Sequence, residues 1–222
     1  MPNIRVVIFD MDGLLLDSEK IALTTFIESC RDCHFEPDLE IYYRCIGTTS
    51  SQTRKILTEG YGRDFPFEDI SALWSHKFQV ATLAKTIPLK EGVLSLLQYL
   101  NQRGLKKAVV TSTRHEIAVR ELSANHILSY FEFVIGGDQV ARGKPAPDIY
   151  LTACQRFSED PSGCLALEDS DNGVLAAHNA GLAVIQVQDI LEPAPEIRAL
   201  GHTLVQSLTE VKSLFKQLEE PP

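Results

Sequence analysis

Long hydrophobic stretches are missing from this chain. The most apolar segments fall far short of the ~20 residues that a helix needs to cross a bilayer, which argues against a membrane-embedded role. Basic charge is also scarce, with 21 Lys and Arg against 30 Asp and Glu and a formal net charge of −9. No concentrated basic stripe exists to displace counterions from phosphates, so nucleic acid is not an expected partner and an anionic ligand must meet a local cation. The amino terminus shows no charged, apolar and small-residue succession of a secretory signal, and five cysteines cannot all pair with one another. A reducing cytoplasm is the expected location. There is no His-Glu-x-x-His pattern and no Gly-x-Ser-x-Gly elbow, which leaves zinc and serine hydrolase chemistry without support. The Cys30-Arg31-Asp32-Cys33 spacing matches a redox dithiol but lies near the end of an expected helix rather than after a strand.

What the chain does have, at 222 residues with 44% hydrophobic and 23% charged content, is the composition of a globular protein long enough for a substantial core. Short apolar runs rich in β-branched residues recur at 4–9, 108–111, 133–135, 165–167 and 183–187. They read as strands buried on both faces of a parallel sheet. Helical periodicity lies between them, as in Val93-Leu96-Leu97-Leu100 and Ile117-Val119-Arg120-Leu122, with Gly104 and Gly181 as stop signals. This alternation predicts an α/β, doubly wound parallel-sheet (Rossmann-like) core. Residues 17–86 contain no convincing buried strand and show helical periodicity instead, around Ile21, Phe26 and Ile27 and again around Ile70, Leu73, Trp74 and Phe78. They predict an inserted α-helical cap domain over the carboxyl ends of the strands, leaving 1–16 and 87–222 as the core. Residues 219–222 read as frayed.

The expected strand ends carry chemistry. The first runs into Asp10-Met11-Asp12-Gly13, where residues two apart point the same way and place two carboxylates over one small volume. Like charges that close invite a metal ion or a shared proton, although Asp and Gly are also ordinary turn formers. The second ends in Thr111-Ser112-Thr113, donors able to grip phosphoryl oxygens or to cap the helix that follows. After the third comes Gly143-Lys144-Pro145-Ala146-Pro147-Asp148, a lysine near a helix amino terminus, where an anion would offset its unfavourable place against the dipole. A P-loop is excluded because the earlier Gly falls on Asp138 and Pro145 follows the lysine. The fourth ends in Glu168-Asp169-Ser170-Asp171-Asn172-Gly173, hard oxygen ligands that suit Mg²⁺. A calcium loop of the EF-hand kind is excluded, since Gly173 comes one position early and Ala180 stands where the closing Glu belongs.

With these motifs in this order, the chain resembles the haloacid dehalogenase superfamily of aspartate-nucleophile phosphotransferases, in the helical-cap branch of β-phosphoglucomutase-like and sugar or nucleotide phosphatases. The resemblance implies that Asp10 is the nucleophile and Asp12 the general acid and base. It implies Mg²⁺ held by the Asp10 carboxylate, the Asp12 backbone carbonyl and Asp169, with Glu168 binding directly or through water. It further implies that Thr111, the Ser112 amide and Lys144 bind the phosphoryl group. Separately, Thr48, Thr49, Ser50 and Arg54 are candidates to line the cap side, although polar cap residues are mostly solvated.

Dehalogenases and phosphonate-cleaving relatives lack the second aspartate, so Asp12 favours a phosphate ester. Sugar phosphomutases of this branch carry a cap arginine and a cap histidine where this chain has Ser50 and Ala22. Losing a bidentate guanidinium removes much of the affinity for a second phosphate, which makes water the expected acceptor. The reading is therefore a Mg²⁺-dependent phosphatase for small phosphomonoesters, sugar phosphates or nucleoside monophosphates, with a phosphomutase as the alternative. A phospho-accepting signalling module is the alternative of a different class. The long insertion and the spacing of Asp10 and Asp12 argue against it.

Overall fold

Val6–Phe9 forms β1, and all four residues are fully buried because the strand lies in the middle of the sheet. A strand covered on both faces has no polar side, which is why this run shows no alternation. The protein is described by a computed structural model that covers residues 4–84 and 86–217; the expectation for 219–222 falls outside them. After β1 the chain enters α1 (Ser18–Asp32), α2 (Leu39–Tyr43), α3 (Ser50–Tyr61) and α4 (Phe67–Ala84) without an intervening strand. It then alternates through α5 (Val93–Gln102), β2 (Lys106–Val110), α6 (His115–Ala124), β3 (Phe133–Ile135), α7 (Asp148–Phe157) and β4 (Cys164–Glu168). The remainder is α8 (Asp171–Asn179), β5 (Ala183–Val187), α9 (Pro195–Arg198), β6 (Thr203–Val205) and α10 (Leu208–Gln217).

The sheet runs β3-β2-β1-β4-β5-β6 and every pairing is parallel. Strand order reverses between β1 and β4, so the crevice at their carboxyl ends is the natural ligand position. Register places Val6 opposite both Lys106 and Cys164, and Phe9 opposite Val109 and Leu167. Asp10, Thr111 and Glu168 therefore leave the sheet at nearly one level. The sequence reading expected five strands. β6 was not among them, because three residues at the sheet edge, with Thr203 exposed, carry too short a pattern to register.

Alternate strand residues feed two separate cores. Val7, Phe9, Leu165 and Leu167 pack with Leu96, Leu97 and Leu100 of α5 and with Val211 of α10. Val6, Ile8, Cys164 and Ala166 pack on the other face with Ile149, Tyr150 and Cys154 of α7 and Val174 of α8. The α6 pattern is shifted from expectation: Ala118 and Leu122 are inside, whereas Ile117 is exposed.

Helices α1–α4 hold a third apolar core around Phe26, Tyr42, Leu57 and Ile70. Phe26 stacks on Tyr42 at a centroid distance of 4.7 Å and meets Trp74 edge-on at 5.1 Å. Entry and exit of this insertion lie side by side, where Leu16 bridges Leu89, Asp17 N–H donates to Pro88 O at 2.9 Å and Lys90 N–H donates to Leu15 O at 3.0 Å. Truncating Phe26 to Ala should cost about 3–5 kcal/mol in urea unfolding. The exposed Leu94→Ala control should stay within about 0.5 kcal/mol.

Candidate active site

Lys144 is 1% exposed, far from the surface position typical of lysine. Its Nζ lies 2.5 Å from Asp10 Oδ1 and 2.5 Å from Glu168 Oε1, and 3.4 Å from Val110 O. One ammonium thus joins the ends of β1, β2 and β4. Tyr150 of α7 donates its hydroxyl to the same Glu168 Oε1 at 2.5 Å, and its ring lies 5.5 Å from the ammonium. Burial works against a charge on Lys144, but the carboxylates of Asp10 and Glu168 more than offset it and hold the ammonium above the usual lysine range.

Asp10, Glu168 and Asp169 each bring a buried carboxylate oxygen within 4.8 Å of the other two. Burial above all, opposed by Lys144 and reinforced by Glu168 and Asp12, pushes Asp10 up to about 8. Burial likewise raises Asp169 well above the ordinary carboxylate range, helped by the charges of Asp10 and Glu168. Glycine makes this crowding possible. A Cβ on Gly13 would stand 2.2 Å from Asp169 Oδ2, and one on Gly173 would stand 2.0 Å from the Glu168 carboxyl carbon.

Asp12 faces a different environment. Its Oδ1 accepts from Ser18 Oγ at 2.8 Å, and its Oδ2 accepts from Thr113 Oγ1 at 2.8 Å and Thr111 Oγ1 at 3.2 Å. Two carboxylates of one motif thus part company, one among charges and one among hydroxyls. Ser112 turns its hydroxyl away to Gly47 O of the insertion, at 2.8 Å.

Residues 7–187 match the family model described as haloacid dehalogenase-like hydrolase. The chain belongs to the haloacid dehalogenase-like hydrolases. It is 27% identical over 217 residues to a phosphorylated carbohydrates phosphatase of Thermotoga maritima, covering 97% of this chain and 99% of that one. It is 32% identical over 196 residues to (DL)-glycerol-3-phosphatase 2 of Arabidopsis thaliana, covering 84% and 80% of the two chains. The crystal structure of a CbbY mutant from Rhodobacter sphaeroides in complex with xylulose 1,5-bisphosphate superposes with a TM-score of 0.73 at 27% identity, covering 93% and 96%.

A divalent cation suits this hydrolase's donor set. Three buried carboxylates cluster where one lysine pairs with only two of them, every donor is a hard oxygen, and Glu168 Oε2 is buried without a hydrogen-bond partner. Asp12 points its carboxylate at hydroxyls and stands outside this carboxylate cluster.

Sequence reasoning missed two acids here. Asp189, just beyond β5, is half-buried with its side chain turned inward, pairs with Lys90, and leaves Oδ2 unpartnered on the Gly13 side of the site. The rule that strand ends carry chemistry applies to β5 as well and would have reached it. Half-buried Glu19, in the first turn of α1, is pushed up to about 8 by burial and then by Asp12, Asp189 and Asp10. An acid there reads as ordinary helix-dipole pairing. Of the expected cap-side residues, Thr48 bonds to Cys45 O and Thr53, Thr49 to Gln52 and Ser51, and Arg54 to Glu68 and the Phe67 ring. Ser50 is exposed at the start of α3. Gln52, not foreseen, donates instead to Lys144 O at 2.8 Å.

Raised carboxyl groups make the cation-free protein bind more protons folded than unfolded between about pH 4 and 8, so its stability should fall as pH rises through that window. A divalent ion displaces those protons and binds better at the upper end. Thermal melts in EDTA and in Mg²⁺ should therefore separate more widely at pH 8 than at pH 6. Equal separation would remove the carboxyl cluster from ion binding.

Proposed function

We propose that this hydrolase is a Mg²⁺-dependent phosphatase of small phosphomonoesters, working through an aspartyl phosphate on Asp10. The chain is a phosphatase by its family and by relatives named for phosphorylated carbohydrates and glycerol 3-phosphate. The observation that carries the finer reading is the split between Asp10, desolvated beside Lys144, and Asp12, held by three hydroxyls. Two carboxyl groups in unlike surroundings take unlike roles.

Asp10 attacks phosphorus and the bond to the ester oxygen breaks, while Asp12 gives its proton to the departing alkoxide. Asp12 then takes a proton from water, which attacks phosphorus and releases phosphate with Asp10 restored. This divides one difficult displacement into two. Lys144 balances the charge gathered at Asp10, and Thr111 and the Ser112 amide orient phosphoryl oxygens. Mg²⁺, held by Asp10, Asp169, Glu168 and the Asp12 carbonyl, supplies when bound the positive charge that lets an ionised Asp10 meet a phosphate dianion. Residues 17–86 act as the cap, and Gly47 and Gln52 tie it to the core through Ser112 and Lys144. The substrate is a small phosphorylated metabolite, a sugar phosphate or a nucleoside monophosphate.

A phosphomutase is the second reading, favoured by neighbours of the β-phosphoglucomutase type. Ser50 and Ala22 supply neither a guanidinium for a second phosphate nor an imidazole, which leaves water as acceptor. A phospho-accepting signalling module is disfavoured by the four-helix insertion over the strand ends. Among the described residues no helix is long and apolar enough to cross a membrane. All five cysteines are free thiols, in keeping with a cytoplasmic setting.

Phosphate release from a panel of sugar phosphates and nucleoside monophosphates should be lost in EDTA. It should be abolished by Asp10→Asn and reduced about 10²–10⁴-fold by Asp12→Asn. Turnover retained by Asp10→Asn overturns the reading.

A further inference from the structure

Two cysteines ten residues apart in sequence lie against each other in the core between α7 and β4. Cys154 Sγ and Cys164 Sγ are 3.6 Å apart, in van der Waals contact, and both side chains belong to the core between α7 and the sheet. Cys164 opens β4 and Glu168 closes it, four residues on and on the same strand face. Tyr150 and Cys154 are likewise one helical turn apart on one face of α7. The α7–β4 contact therefore has two rungs, Cys154 with Cys164 at one end and Tyr150 with Glu168 at the other. The second rung carries a carboxylate that holds Lys144.

We propose that Cys154 and Cys164 form a peroxide-oxidisable dithiol whose closure to a disulfide lowers turnover by displacing the Tyr150–Glu168 rung. A disulfide needs its sulfurs at about 2.05 Å, so closure draws the two elements together by up to about 1.5 Å at the first rung. The contact with Cys164 holds the Cys154 thiol below the ordinary thiol range, while the same partnership and burial push Cys164 up. The Cys164 thiol donates to Asp160 O at 3.6 Å, which keeps that thiol protonated and leaves Cys154 as the attacking sulfur, since the thiolate is the nucleophile. Its thiolate attacks one oxygen of hydrogen peroxide, the O–O bond breaks, and Cys154 sulfenic acid and hydroxide form. The Cys164 sulfur then attacks the sulfenic sulfur and expels its hydroxyl, which leaves as water with the Cys164 proton, and the earlier hydroxide takes up the proton that Cys154 released on ionising to give the second water. The pair loses two electrons and two hydrogens, and peroxide gains them. Both sulfurs are buried, which selects a water-sized oxidant and excludes large disulfides from starting the exchange.

Cys30 and Cys33 are the internal control. They also sit close in sequence, but at the end of α1 in the insertion, where burial pushes Cys30 up to about 12 and disfavours its thiolate.

The test treats the folded full chain with hydrogen peroxide, blocks remaining thiols with N-ethylmaleimide, and maps unreduced peptides by mass. The expected product is a Cys154–Cys164 cross-linked peptide lighter by two hydrogens, with phosphate release falling severalfold and returning on reduction. Cys154→Ala and Cys164→Ala should each keep the reduced turnover and lose the peroxide response; Cys154→Ser and Cys164→Ser repeat the comparison if the smaller side chain weakens the core. Peroxide that leaves both thiols open to maleimide overturns the site. A cross-link that forms without changing turnover, or an equal peroxide loss in Cys164→Ala, overturns its coupling to the rung. Because the cross-link is read by mass alone, its outcome is independent of whether the proposed substrate class is correct.

Discussion

A single ammonium shared by two buried carboxylates sets the terms for everything around the β1–β4 junction. Without Lys144 Nζ, Asp10 and Glu168 would face each other with no compensating charge, and removing one partner of a buried ion pair costs roughly 3–5 kcal/mol. The arrangement fixes where the chain must return: α7 has to start close enough for Lys144 to reach inward, and Tyr150 on its first turn supplies the next bond to Glu168. Parallel pairing of β1 with β4 brings the two acids level. With Asp169 included, three carboxyl groups crowd around one lysine, a donor set that suits a divalent ion.

Asp12 is tied to other parts of the molecule. Ser18, which holds one of its oxygens, begins α1 and so belongs to the insertion, while Thr111 and Thr113 come from the loop after β2. The group expected to handle protons is therefore positioned jointly by core and insertion. Further ties run from Ser112 to Gly47 O and from Asn172 to Ile46 O at 2.9 Å, so the α2–α3 connection is anchored to the loop after β2 and to the first turn of α8. Movement of the insertion would be felt at these bonds before it reached Asp10.

Much of this was legible from residue order because buried parallel strands announce themselves as apolar runs, and runs that stop abruptly on acids or hydroxyls mark the ligand edge. Asp10, Thr111 and Glu168 were visible for that reason. Lys144 was visible only through its position before α7 and through the family resemblance, since nothing in its immediate sequence distinguishes a buried lysine from a solvated one. Tyr150 reads as a core aromatic, and its hydroxyl contact with Glu168 depends on how α7 crosses β4. Glu19 and Gln52 were out of reach, because their roles arise from the placement of the insertion and not from any local pattern. β6 was lost to its length, and Asp189 to the lack of a motif around it.

The central claim is that Asp10, braced by Lys144, takes the phosphoryl group onto its own oxygen. Rapid mixing with a turned-over phosphomonoester and Mg²⁺, acid quench within the first turnover, and mass analysis of the peptide containing Asp10 test it most directly. The account predicts a phosphorylated Asp10 that forms before steady state and disappears as substrate is consumed. Phosphate appearing in the first turnover while the Asp10 peptide stays unmodified, with borohydride trapping also leaving it unchanged, would contradict it.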